Sequence, residues 1–327
     1  MRAIRALAPG GPEVLHLDER PEPEPGPGQV VVDVAAAGVN FIDVYRRTGR
    51  YPMPFPHVVG TEGAGTVRAV GAEVDLVPGA PVAWVDGNQG SYTEQALVSA
   101  ERLVPVPTHV PLDLAAAVLL QGLTAHYLSH TTAPVLPGQD VLVHAGAGGV
   151  GLLLTQLAVA RGARVLTTVS TAEKEDLSRA AGASAVLRYD TLDDLAAGLP
   201  AWVHEHTDSG VHTVFDGVGR STFDGSLASL RRRGMLVLFG GASGAVPPLD
   251  PMRLQDAGSV YLTRPTLAHH VADREELLER STDLLTAIAA GRLDVRIGAR
   301  FRLADAAAAH RALEGRATTG KVLLSVG

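Results

Sequence analysis

The chain contains no cysteine, which removes disulfides and cysteine-ligated zinc from its structural and chemical options. Cationic residues are in deficit too, with 28 Lys and Arg against 35 Asp and Glu and a formal net charge of −7. That balance argues against nucleic acid as a partner, because phosphate binding needs a basic face. No apolar run is long enough to span a bilayer. The opening Met1-Arg2-Ala3-Ile4-Arg5 lacks the apolar core of a signal peptide. No membrane association is expected, and a cytoplasmic location is. The 46% hydrophobic and 19% charged content marks a folded protein rather than a disordered one. A length of 327 residues is enough for about two domains.

Glycine is plentiful, and one cluster of it has a telling context. The apolar run Val141-Leu142-Val143 leads into Gly146-x-Gly148-x-x-Gly151 and then into Leu152-Leu153-Leu154. Strand, glycine turn and helix in that order form a dinucleotide-binding context. The glycines permit the tight turn and let the backbone approach a pyrophosphate at a helix N-terminus. Gly149 and Val150, inside the turn, belong to the same expected cradle. An ordinary strand-to-helix turn without a ligand is the alternative.

The first hundred residues carry short strands, expected at 3–7, 14–17, 30–36, 65–70, 81–85 and 92–98. Turns fall at Gly71, Gly79 and 86–90, and a proline-rich loop covers 19–28. This pattern suggests a compact, barrel-like β domain. A polar island, residues 38–45, interrupts it. Asn40, Asp43 and Tyr45 are close enough to share one helical turn, which would aim an amide, a carboxylate and a phenol into one cleft. Asn40 is equally a good helix N-cap with Asp43 in the first turn, and the two readings are compatible. Glu62 lies in an otherwise apolar stretch, so it is either a paired buried carboxylate or a surface turn residue, and a structural role is expected. A helix is expected over 111–120, broken at Gln121-Gly122, with Thr124 near the start of the next helix.

Beyond the glycine turn the chain alternates. Strands are expected at 164–169, 185–187, 212–215, 235–239 and 260–263, with helices at 173–181, 193–206 and 223–230. Such spacing implies an α/β fold with a doubly wound parallel sheet. Ligands then sit at the C-terminal ends of the strands, where Gly146, Ser170, Asp216 and Phe239 fall. The second strand of a fold selective for NAD usually ends in an acid that holds the ribose 2′-hydroxyl. Ser170 and Thr171 occupy that place here, with Lys174 one turn onward. A hydroxyl and a cation suit a 2′-phosphate, so NADPH is expected over NADH. Glu173 is the counter-argument, and a solvated helix charge is the plain alternative for Lys174. The remaining chain reads as helix 275–290, strand 300–303, helix 304–313 and strand 321–325. It is expected to return to the first domain and could bring Arg316 to the cleft.

With these segments assembled, the whole chain resembles the zeta-crystallin-like quinone oxidoreductases, the zinc-free branch of the medium-chain dehydrogenase/reductase superfamily. The carriers are residues 38–45, Gly60-Thr61-Glu62-Gly63-Ala64-Gly65, the loop 145–151, Asp216-Gly217-Val218-Gly219, Thr263-Arg264-Pro265 and Arg316-Ala317-Thr318. The resemblance implies a discontinuous chaperonin-10-like β-barrel catalytic domain over 1–123 and 266–327. A Rossmann domain over 124–265 would be inserted into it. It further implies NADPH as hydride donor, a small quinone or other electrophilic acceptor, and a homodimer joined through the edge strand of the Rossmann sheet. Asn40, Asp43 and Tyr45 match the active-site cluster, and Thr124 a residue near the cofactor. Ser170, Lys174 and Tyr189 match the 2′-phosphate pocket. Val218, Phe239, Gly240, Arg264 and Arg316 match further cofactor contacts.

Zinc-dependent members of the superfamily place a cysteine and a histidine where this chain has Asn40 and Thr61. The structural cysteine cluster is missing too, so no metal is expected, and the 12 histidines do not supply a substitute. Gln121 stands where many relatives carry a lysine. The cofactor carries the chemistry in such a protein, with the nicotinamide expected in an interdomain cleft facing an acceptor beside Asn40, Tyr45 and Tyr51. An NADPH-dependent enone or enoyl reductase is the nearest alternative. A non-catalytic NADPH-binding structural or redox-sensing protein is another, and RNA binding is the weakest.

Overall fold

The computed structural model describes residues 1–85 and 90–326. It divides into two compact units, Met1–Leu123 with Val271–Gly327, and Thr124–His270. The return to the first unit thus falls at Val271, against 266 from the sequence. In chain order come β1 (Arg2–Ala6), β2 (Leu15–Glu19), β3 (Gln29–Val39), α1 (Phe41–Arg47), β4 (His57–Val58), β5 (Glu62–Val70), β6 (Pro81–Val85), β7 (Gln95–Ser99), β8 (Leu103–Pro105) and α2 (Leu112–Tyr127). The second unit continues with β9 (Asp140–Val143), α3 (Gly149–Ala160), β10 (Arg164–Val169), α4 (Ala172–Ala180), β11 (Ala185–Arg188) and α5 (Leu195–His206). It is completed by β12 (Val211–Asp216), α6 (Phe223–Ala228), β13 (Leu230–Leu238), α7 (Met252–Asp256) and β14 (Tyr261–Thr263). The chain ends with α8 (Arg274–Ala289), β15 (Ile297–Arg302), α9 (Ala306–Glu314) and β16 (Lys321–Ser325).

In the first unit β3 is the hub of a seven-stranded sheet. It pairs with β5 along its length, with β7 over its first half, and with β16 over its last residues. Eleven residues, mostly valine and alanine, can lie between so many neighbours because little of their surface is polar. Val30, Val32 and Val34 join one core cluster around Trp84, whereas Ala37 and Val39 join another with Tyr92, Val322 and Leu324. The change comes at a register irregularity between Val34 and Ala36. The C-terminal end of β3 therefore delivers Asn40 straight from the buried middle of the sheet to the start of α1.

Two short strands, β4 and β8, escape the sequence pattern, and most of the turn expected at 86–90 lies outside the described residues. The break expected at Gln121-Gly122 does not occur. α2 runs continuously, and Thr124 sits in its last turn rather than at the start of a new helix. Gly122 is there for packing, since a Cβ would stand 2.8 Å from Val118 Cγ2 and 3.1 Å from Leu284 Cδ1.

The second unit holds a six-stranded sheet in the order β11-β10-β9-β12-β13-β14, with every pairing parallel. Counted within the unit this is 3-2-1-4-5-6, two mononucleotide-binding halves meeting between β9 and β12. Leu142, Leu166, Val214 and Leu236 fill the core between sheet and helices. No helix is long and apolar enough to cross a membrane among the described residues.

Candidate functional site

The first unit builds a buried polar cluster around Asn40. Asn40 occupies the N-cap position of α1 with extended backbone and shares a capping box with Asp43. Asp43 Oδ2 accepts the Asn40 N–H at 2.9 Å. The Asn40 carboxamide also donates from Nδ2 to Glu62 Oε1 at 2.7 Å and to Gly38 O at 3.3 Å. Its Oδ1 accepts from Lys321 Nζ at 2.8 Å and Gln121 Nε2 at 3.3 Å. Glu62 is thus the paired buried carboxylate, bonded to Lys321 and to the Leu120 N–H at 2.7 Å. The main chain makes room for it, because a Cβ on Gly38 would lie 2.3 Å from Glu62 Oε1.

Asp43 is fully buried, and both of its oxygens are occupied. Thr61 Oγ1 donates to Oδ1 at 2.5 Å and Tyr92 Oη to Oδ2 at 3.0 Å. Burial raises its pKa against the lowering effect of these bonds and of nearby Arg46. Behind Tyr92 lies His310, and behind that Arg47. Arg47 Nη1 can only donate, so His310 Nδ1 accepts at 3.0 Å and Nε2–H points at Tyr92 Oη, 3.2 Å away. Burial, reinforced by Arg47, lowers the His310 pKa to about 3, so the imidazole is neutral. Arg47 also holds Glu314 through two nitrogens, at 2.8 and 3.0 Å. Tyr45, on the same helix, lies tilted against Tyr51 at 5.2 Å with the Arg50 guanidinium 4.6 Å over its ring. Arg316 follows α9 at a φ of 57° and is exposed.

Sequence reasoning missed Lys321, Arg47, Tyr92 and His310, each fully or almost fully buried. The one visible signal was His310 in the alanine-rich run of α9, where a polar ring among small apolar residues needs a buried partner.

In the second unit the glycine turn makes a cradle that larger residues would fill. A Cβ on Gly151 would stand 2.2 Å from Ala145 O, and one on Gly146 would stand 2.6 Å from Thr167 Cβ. Gly148 caps α3, so Gly149, Val150 and Gly151 open it with N–H groups that the helix does not use. Those donors and the helix dipole together form an anion site.

Next to it, Ser170 leaves the end of β10. Thr171 caps α4, accepting the Lys174 N–H at 3.3 Å, and the turn this makes brings Lys174 Nζ to 3.2 Å from Ser170 Oγ. Val169 pairs with Arg188, so Ser170 and Tyr189 leave neighbouring strands at the same level. Glu173 is exposed. At the switch point, buried Asp216 accepts from the Val218 and Gly219 N–H groups at 2.8 and 2.9 Å and from Thr222 and Ser226. Ser226 also meets His144 Nε2 at 2.9 Å. Phe239 packs where a Cβ on Gly217 would be 2.9 Å from its ring. Gly240 comes so close that a Cβ would be 2.3 Å from Gly217 O. Arg264 Nη1 braces this turn by donating to Leu238 O and Gly240 O at 2.7 and 3.0 Å. Thr124 is buried at the head of the unit.

Two family models match the chain. One, described as an alcohol dehydrogenase GroES-like domain, covers residues 26–108, and the other, described as a zinc-binding dehydrogenase, covers residues 149–282. A quinone oxidoreductase of Pseudomonas aeruginosa is 41% identical over 99% of this chain and 99% of its own. The chain belongs to the quinone oxidoreductase family. This family is the zinc-free branch of the medium-chain dehydrogenase/reductase superfamily. Other quinone oxidoreductase relatives have solved structures. The Escherichia coli quinone oxidoreductase complexed with NADPH gives a TM-score of 0.96 at 39% identity, covering 99% of this chain and 100% of that one. A mycobacterial protein complexed with NADPH gives 0.96 at 50% identity over 99% of both chains. A 2-haloacrylate reductase from a Burkholderia species is 40% identical over 96% of both chains. As a quinone oxidoreductase family member the chain has Asn40 and Thr61 tied into hydrogen bonds with neighbouring protein groups. Among the described residues no group of three His, Cys, Asp or Glu is placed to hold a metal ion.

Proposed function

We propose that the protein is a zinc-independent NADPH:quinone reductase. The observation that carries this reading is the Ser170–Lys174 pair at the end of β10, a hydroxyl and an ammonium 3.2 Å apart. They stand where an NAD-selective fold places an acid. The residues fit the cofactor, since the cradle at Gly146 and Gly151 has no room for side chains and the first turn of α3 offers free donors. NADPH, when bound, supplies a hydride from its nicotinamide.

The chain's own residues then divide the work. Gly148, Gly149 and Val150 would present backbone to the pyrophosphate, and Ser170, Lys174 and Tyr189 would hold the 2′-phosphate. Thr124, Val218, Phe239, Gly240 and Arg264 would line the remaining contacts. Tyr51, partly exposed and backed by the buried Tyr45, offers aromatic surface to a planar acceptor. Asp43 is a positioning residue, because its buried carboxylate holds the start of α1, Thr61 and Tyr92. A quinone becomes aromatic on reduction and so needs little help from a Lewis acid.

A second reading, reduction of an activated C=C bond, is favoured by the full-length relationship to a 2-haloacrylate reductase. The homodimer is also a proposal, supported by β14 lying at the edge of the sheet with Tyr261 57% exposed. Replacing Tyr261 by Pro should then shift the mass in light scattering from two chains to one. Oxidation of NADPH and NADH, followed across benzoquinones, enones and enoyl thioesters, tests the activity. Fast turnover with NADPH on benzoquinones is expected. Turnover confined to enones would move the assignment to the second reading, and no turnover on any acceptor would leave a cofactor-binding protein.

A further inference from the structure

Lys321 and Glu62 form an ion pair whose side chains are only 1% and 0% exposed. Taking two charges out of water is costly, and apolar replacements of such pairs are often no less stable. The pair therefore calls for a role other than stability, and its neighbours supply one. Lys321 Nζ can only donate, and it reaches Asn40 Oδ1 as well as Glu62. Glu62, as a carboxylate, can only accept, and it takes the Asn40 Nδ2–H on Oε1. A carboxamide held between an obligate donor and an obligate acceptor has one orientation instead of two.

The backbone is arranged to bring the three together. Val322 pairs with Val39 in an antiparallel register, which carries Lys321 to the level of Asn40. Glu62 pairs with Gly38, and the missing Cβ there lets its carboxylate cross over the strand. Gly320 takes a positive φ where a Cβ would lie 2.4 Å from Arg296 O, and the Lys321 N–H donates to Arg296 O at 2.8 Å, which fixes the entry into β16.

We propose that Lys321 and Glu62 are positioning residues. They lock the Asn40 carboxamide with its oxygen toward Lys321 and its nitrogen toward Glu62. Through the Gln121 Nε2 bond to the same oxygen, they orient the polar wall beside the acceptor. The kinetic consequence rests on the quinone reductase reading; the orientation of the amide does not.

The test is the double variant Glu62→Gln/Lys321→Met, which removes both charges without leaving either one buried alone. NADPH affinity should hold, while kcat on benzoquinone falls about ten- to hundredfold with a smaller change in KM. In an Asn40→Ala background the same double substitution should change kcat by less than about twofold, because the group it acts through is gone. Independently of activity, the Asn40 side-chain amide protons, assigned in 15N NMR by their loss in N40A, should be well separated and slow to exchange in the wild type. In the double variant they should move toward the values of an exposed asparagine. Should the double variant not fold, Gly38→Ala, which displaces the Glu62 carboxylate, takes its place with the same expected readouts. Unchanged amide signals, or an equal loss of kcat in the N40A background, would overturn the proposal. A wild-type protein inactive on every quinone would overturn the quinone reductase reading, and the NMR comparison would still decide this one.

Discussion

Replacing Lys174 by Ala tests the nucleotide preference directly. The ammonium is half-buried and stands 3.2 Å from Ser170 Oγ, so a 2′-phosphate accepting a hydrogen bond from Ser170 would lie within about 4 Å of it. A unit charge pair at that distance and an effective dielectric near 20 is worth about 4 kcal/mol. Partial exposure and salt reduce this, and hydrogen bonds to charged groups contribute about 1.5–3 kcal/mol net. At about 1.4 kcal/mol per factor of ten, NADPH should bind the variant roughly ten- to hundredfold more weakly. NADH lacks the 2′-phosphate, so its affinity should stay within about twofold. The assay is titration of nicotinamide fluorescence with each cofactor, paired with kcat/KM for each at fixed quinone. The preference for NADPH should also shrink in the wild type as ionic strength rises. Equal losses for the two cofactors, or no loss for either, would refute the assignment of Lys174 and return it to an ordinary solvated helix charge.

Other outcomes follow from the same geometry. Gly151→Ala puts a Cβ 2.2 Å from Ala145 O, so NADPH and NADH binding should both fall by an order of magnitude or more, unlike the selective loss at Lys174. Gly122→Ala should lower the free energy of unfolding measured in urea by about 1 kcal/mol despite the better helix propensity of alanine. A stabilised variant would show that the contacts with Val118 and Leu284 are slack. His310 is neutral when folded, with a pKa near 3 against an ordinary 6.5, so the unfolded chain binds the extra proton. Its contribution is complete above about pH 6.5 and is lost as pH falls toward 3, at about 1.4 kcal/mol per pH unit. In H310Q an amide N–H and an oxygen can replace the two ring nitrogens. Urea unfolding between pH 4.5 and 7 should then show a pH slope shallower by about one proton than that of the wild type.

Local periodicity was legible wherever an element follows from its own residues. The alternation after Gly151 led to the parallel sheet, and the ends of most strands fell within a few residues. α2 was the failure. Gln121-Gly122 looks like a breaker, but the glycine answers to Leu284, more than 160 residues away, and no local rule reports such a neighbour. The site was half legible for the same reason. The glycine cradle and the Ser170–Lys174 turn are each contained in a few consecutive residues, whereas the cluster at Asn40 draws on β5, α2 and β16.

Sequence alone determined that a strand, a glycine turn and a helix follow one another in the dinucleotide-binding pattern, that cysteine chemistry is absent, and that a hydroxyl and a cation replace the acid at the end of the second Rossmann strand. These are properties of residue type and of spacing along one short segment. Tertiary structure decided what the polar residues of the first unit are for. The Asn40 side chain stands at the cap of α1, and a lysine and a glutamate from two other strands hold it there. Asp43 closes the capping box, and Tyr92 leads from it to a neutral His310. Burial makes the difference, because a charge or amide taken out of water must find its partner among whichever residues the fold brings near, and strand register chose Lys321.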